Sequence, residues 1–234
     1  MNHVIFAALT IGGSTLIGTG CGFLLNRIPR HIENAATAFA AGVMLAAAML
    51  GLYQPAIGMT HGAALLLIPL GTAAGVLFLR GIGRASARLD GAMRTHPELM
   101  FVLALALHKL PEGMAGGVGL CGMNPTAART VIIGIALQNV PEGMVMIPPM
   151  IAAGVPRGRA ASIAIATGLL NAAGVFAGAL GGAVFGNVLP FALAFAGGAM
   201  LDVIVAQMIP QAADKHALIV TGGFVLMACV GALF

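Results

Sequence analysis

The residues able to do chemistry stand in two stretches of nine, "ALHKLPEGM" at 106–114 and "ALQNVPEGM" at 136–144. His108 and Glu112 are four residues apart, and so are Gln138 and Glu142. On a helix, side chains at that spacing project from one face. Each stretch therefore offers one nitrogen- or amide-bearing group and one carboxylate. Brought face to face, the imidazole, the amide and the two carboxylates suit Zn²⁺ and also Fe²⁺, Mn²⁺, Co²⁺ or Cd²⁺, with no thiolate to demand a softer ion. Two buried carboxylates repel unless something positive sits between them. Lys109, three residues before Glu112, competes with a metal for that place, because the two could form a structural ion pair with no metal at all. Pro111 and Pro141 each remove a backbone donor, which frees the carbonyls of Leu107 and Leu137 to meet a cation and lets each helix bend.

What positions these residues is set by composition. Of the 234 residues, 59% are apolar and only 8% are charged, and the mean hydropathy is +1.02. A soluble domain of this length could not bury so much apolar surface, so the sequence predicts an all-α integral membrane protein. About 20 apolar residues make one crossing. Eight such segments can be cut, near 3–25, 34–52, 61–79, 98–120, 130–153, 160–184, 188–209 and 216–233, within one transmembrane domain over 1–234. The N-terminal segment lacks a basic leader and reads as the first span rather than a signal peptide. The 34 glycines favour close helix packing in lipid and are compatible with a homodimer. Cys21, Cys121 and Cys229 are scattered, with no metal-type spacing, and read as small apolar fillers.

Charge supplies the topology. Arg27, Arg30, Arg80, Arg84, Arg88, Arg94, Arg157, Arg159 and Lys215 all fall in odd-numbered loops, and the even-numbered loops carry only Arg129. Basic loops stay in the cytoplasm, so both termini are expected outside. The net charge of +4 is thus a topology signal and does not mark a nucleic-acid partner; the bilayer is the expected partner.

Glu112, Glu142 and Asp202 are the three acids that fall inside spans, the first two near the bilayer midplane. A carboxylate there costs at least ~2.5–3.5 kcal/mol and persists where it faces a partner or a polar cavity. Because the fourth span runs outward and the fifth inward, the repeated stretch sits in opposite orientations, an inverted repeat centred on helices 4 and 5. Transporters built on such repeats place their site at the midplane, on helices interrupted by Pro or Gly.

With HxxPEG at 108–113 and QNxPEG at 138–143 on adjacent spans, the chain resembles the ZIP (Zrt-, Irt-like protein) metal transporters, in particular the bacterial GufA-like branch. "AFAAGVMLAAAM" at 38–49 is similar to the family's second span and "AFAGGAMLDVIVAQMIPQ" at 194–211 to its seventh. The resemblance implies carriage of a divalent metal, zinc foremost, toward the cytoplasm across the inner membrane, by an elevator-like movement of one helix bundle. It implies a metal site of His108, Glu112, Gln138 and Glu142, with the metal as cargo and no resident cofactor.

The departures from the family pattern are equally informative. A second metal would use the positions of Lys109, Asn139 and Gln207 with the bridging carboxylates of Glu112 and Glu142. Lys109 stands where relatives commonly have Asn, Gln207 where they have Glu, and Asn171-Ala172 where a Glu-Pro is expected. The expectation is a mononuclear site in which Lys109 replaces the second cation. Asp202 is left with three readings: a partner of Lys109, a part of the metal path, or the cap of a polar cavity. Besides transport, two further classes stay open. One is a degenerate metal-binding relative acting as a sensor or structural subunit. The other is an intramembrane metalloenzyme, disfavoured because no HExxH or separate acid/base is present.

Overall fold

The structure, a computed structural model, describes residues 2–24, 29–89, 109–110, 112–121, 125–152, 154–184, 189–212 and 216–233. Every regular element among the described residues is helical. Helix α1 is Asn2–Leu24. Helix α2 starts as Arg30–Ala46, passes through a π-helical stretch at Ala47–Tyr53 and ends with Gln54–Gly58. A 3₁₀ turn, Gly62–Leu66, leads into α3, Leu67–Leu89. Helix α4 comprises the helical residues 109–110 and 112–121. Next come α5, Pro125–Ala152, and α6, Arg157–Val184. Helix α7 runs Leu189–Val203, turns π-helical at Ile204–Met208 and closes with Ile209–Ala212. Helix α8 is Ala217–Leu233.

Six of these stretches are long and apolar enough to cross a bilayer: Asn2–Leu24, Asn34–Gly58, Gly62–Gly81, Ala128–Ile147, Arg157–Gly182 and Leu189–Ala206. Ala217–Leu233 is apolar but shorter. The chain is therefore an α-helical, multi-pass membrane protein. In water an exposed leucine row would be a liability. Here Leu9, Ile17 and Leu24 on α1, Leu169 and Leu180 on α6, and Leu218 and Leu233 on α8 face outward, as a hydrocarbon solvent allows.

Lipid supplies no hydrophobic drive between helices, so contact must come from close backbone approach. Helix α1 lies against α5 and α6, α3 against α7, α8 against α2, and α2 also touches α5. Small residues set the crossings around the charged residues. A side chain at Gly143 on α5 would fall 2.6 Å from the Thr15 carbonyl oxygen on α1, and one at Gly22 would fall 2.6 Å from the Met144 carbonyl oxygen. Gly113 and Gly117 on α4 lie against the backbones of Asn171 and Val175 on α6, while Gly174 on α6 meets the Leu110 carbonyl oxygen. The helices α1, α4, α5 and α6 are thereby drawn together around residues 109–112 and 138–142.

Candidate metal centre

Lys109 begins the described part of α4, and its ammonium is fully buried. Nζ donates to Glu112 Oε2 at 2.9 Å, to Glu142 Oε2 at 2.7 Å and to Asn139 Oδ1 at 2.5 Å. A lysine has three N–H donors, and three acceptors from two helices take them. Glu112 and Glu142 are 0% and 1% exposed, so neither carboxylate is screened by water. In such surroundings the removal of one partner strands the other, at a cost of about 3–5 kcal/mol.

Neutral amides complete the cluster. Gln138 Nε2 donates to Glu112 Oε1, and Asn171 Nδ2 donates to Glu112 Oε2 at 3.2 Å. Asn139 works in both directions: its Oδ1 receives Lys109 and its Nδ2 donates to the Ile11 carbonyl oxygen at 3.1 Å. Helix spacing explains the convergence. Gln138 and Glu142 share one face of α5, and Asn139, one residue on, turns toward α1. Among the described residues, two oxygens are buried without a hydrogen-bond partner, Gln138 Oε1 and Asn171 Oδ1. A buried amide oxygen with no donor is costly, and it is the kind of atom that would meet a cation.

Of the residues singled out from sequence, Lys109, Glu112, Gln138, Asn139 and Glu142 are brought together. His108 and Pro111 lie outside the described residues, as do most of the expected fourth span and the side chain of Gln207. Among the described residues, no three His, Cys, Asp or Glu side chains are placed to hold one metal ion; Glu112 and Glu142 are two. Asp202 pairs with Arg80 on α3, whose Nη2 is 2.7 Å and Nε 2.9 Å from Oδ1. Pairing with Lys109 is replaced by this contact, since the Lys109 donors are all spent within α4 and α5.

Sequence reasoning missed three participants. Asn171 stands out in the sequence as a departure from the family pattern rather than as a member of the cluster, although a lone amide in a glycine- and alanine-rich span is itself a signal. The Ile11 carbonyl carries no side-chain signature. Arg80 reads from sequence as a loop residue, whereas it lies within α3, from which its long side chain reaches Asp202 on α7.

The chain is similar to known proteins. Residues 83–231 match the family described as ZIP zinc transporter. The chain is 36% identical over 144 residues to the zinc transporter GufA of Myxococcus xanthus, covering 62% of this chain and 54% of that protein. It is 33% identical over 230 residues to the zinc transporter ZIPB of Bordetella bronchiseptica, covering 88% of this chain and 69% of the relative. The zinc transporter ZIP11 of Homo sapiens is 40% identical over 120 residues, 48% of this chain and 35% of its own length. The chain thus spans about half the length of GufA and about a third of ZIP11. The family match covers more than half of the chain, and on that ground the protein belongs to the ZIP zinc transporter family, with a bacterial GufA-like relative.

Proposed function

We propose that this protein carries a divalent metal ion, zinc or a similar first-row ion, across the cytoplasmic membrane toward the cytoplasm. The family is one of transporters and not of enzymes, which removes the intramembrane metalloenzyme reading. The carrier crosses the bilayer eight times with both termini outside, and its site lies between α4 and α5, at the centre of an inverted repeat. The ligands are His108, Glu112, Gln138 and Glu142. Helix α1 packs on α5 and α6, α3 on α7 and α8 on α2, with α2 touching α5 between them, and this grouping supports movement of one bundle against the other.

The observation that carries the reading is the Lys109 ammonium, fully buried and within 2.9 Å of Glu112 and 2.7 Å of Glu142. A chain retains two carboxylates and an ammonium in a dry, apolar bundle only where their charge is used or balanced. Lys109 bonds the Oε2 atom of both carboxylates, where a bridging second cation would bind. On this reading the site is mononuclear. Gln138, whose Nε2 donates to Glu112 Oε1, leaves its own Oε1 without a hydrogen-bond partner, a neutral oxygen ready for an incoming metal.

Purified protein in proteoliposomes tests this. Zinc accumulates in vesicles containing the parent chain, and Glu112→Ala or Glu142→Ala abolishes accumulation. A flux that survives both substitutions overturns the assignment.

One observation favours a second reading. Lys109 has all three donors satisfied without any metal, so the cluster could serve a binding or structural relative that performs no net transport. Saturable zinc binding without flux in the same vesicles would establish that alternative.

A further inference from the structure

The Lys109 ammonium lies sealed between Glu112 and Glu142. We propose that Lys109 is a tethered counter-cation for the return of the empty carrier, which balances the carboxylates while the site crosses the membrane without metal. The inference rests on the transport reading above and adds to it a role in one half of the cycle.

The argument is one of charge and burial. A carrier that delivers a divalent cation must bring its site back without that cation. During the return the site passes through a state closed to water on both sides, and the arrangement seen here is closed in this sense: Lys109, Glu112, Gln138 and Asn139 are 0% exposed and Glu142 is 1% exposed. Two carboxylates alone would carry two negative charges through that state. Stranding buried charge is among the largest penalties available to a protein interior. Lys109 halves the imbalance, and the amide N–H groups of Gln138 and Asn171 on Glu112 hold part of what is left. In the loaded direction the metal itself supplies positive charge to the same carboxylates. The ammonium therefore matters most to the empty step.

The geometry suits a tether rather than a diffusing ion. Lys109 is on the same helix as Glu112, three residues before it, so the cation cannot be lost when α4 moves. Asn139 holds the ammonium from α5 and is itself fastened to the Ile11 carbonyl of α1, so the helices that would travel together share the charge.

Two fluxes separate the steps. Net zinc uptake into zinc-free proteoliposomes needs the empty return, whereas exchange of external isotopic zinc for zinc inside the vesicles runs through loaded states alone. For Lys109→Met, net uptake is expected to fall about a hundredfold, and to fall by far more than exchange does. Persisting exchange also shows that the variant is folded. Lys109→Arg, which keeps the charge, is expected to retain most of the net uptake. Equal retention of both fluxes in Lys109→Met overturns the inference, because the empty site then returns without the charge. Equal loss of both in Lys109→Met, whether or not Lys109→Arg is active, also overturns it, because the lysine then serves the loaded site or the fold. If the parent shows neither flux, the transport reading itself fails and the inference falls with it.

Discussion

The Arg80 guanidinium holds Asp202 Oδ1 through Nη2 at 2.7 Å and Nε at 2.9 Å, tying α3 to α7 two residues before the π-helical stretch begins at Ile204. Both donors converge on one oxygen, and the partners differ in environment, with side-chain exposures of 55% and 10%. An interaction open to solvent on one side is weakened by screening. Arg80→Ala and Asp202→Ala are therefore each expected to lower thermal stability by less than Lys109→Met does. The double variant should cost no more than the worse single one. A double-mutant cycle on the unfolding midpoint checks this, and additive losses would show that the two side chains act independently.

The contrast between the two charged clusters shows what the sequence could reveal. Glu112 and Glu142 were legible because the nine-residue repeat fixes their spacing and because a carboxylate in an apolar run demands a partner. Lys109 was legible as their counter-charge for the same reason, and the helical class followed from composition. Asn139 was visible as a position, but its contact with Ile11 was not, since a backbone carbonyl can be approached by any helix that packs closely enough. Arg80 was counted as a loop anchor because hydropathy ends the third span before it, whereas α3 continues to Leu89 and turns the guanidinium back onto α7. The π-helical stretches at Ala47–Tyr53 and Ile204–Met208 have no pattern that a 3.6-residue period would reveal.

Close approach of α1 to α5 makes a sharp prediction about glycine. A Cβ at Gly18 would be driven into the Val140 carbonyl, a backbone atom that cannot turn aside, whereas a Cβ at Gly20 would meet nothing within 4 Å. Gly18→Ala should therefore separate the helices and cost at least about 2 kcal/mol. Gly20→Ala should be neutral or slightly stabilising, because alanine is the better helix former. Unfolding in detergent compares them. Equal stability of the two variants would mean that α1 and α5 do not cross at Gly18.

Asn139 is expected to act as a linchpin through both ends of its amide. Asn139→Ala leaves one Lys109 N–H without its acceptor and takes the Nδ2 donor from the Ile11 carbonyl, which still receives the Ser14 hydroxyl at 2.8 Å. A buried donor left unmade costs about 1–3 kcal/mol, and more when it is charged. The loss should be smaller in a Lys109→Met background, where no ammonium is left to strand. Thermal unfolding of the two single variants and the double variant measures the coupling. Strict additivity would place the importance of Asn139 on the α1 side alone.

On the mononuclear reading proposed above, the metal count of the centre turns on a single side chain. Lys109 Nζ bonds the Oε2 atoms of both Glu112 and Glu142, so a second divalent ion in that place would have to displace an ammonium that all three acceptors hold. The parent chain should bind one zinc ion per protein. Lys109→Asn removes the positive charge and supplies a neutral amide oxygen beside two carboxylates, a donor set that a divalent ion accepts. Zinc bound per chain should then rise toward two, the added ion being the weaker because Asn139 and Gln207 carry no charge. Elemental analysis after gel filtration, with calorimetric titration, reads both quantities. A parent that already binds two ions, with affinity unchanged by Lys109→Asn, would show that the ammonium yields its place to metal and does not stand in for it.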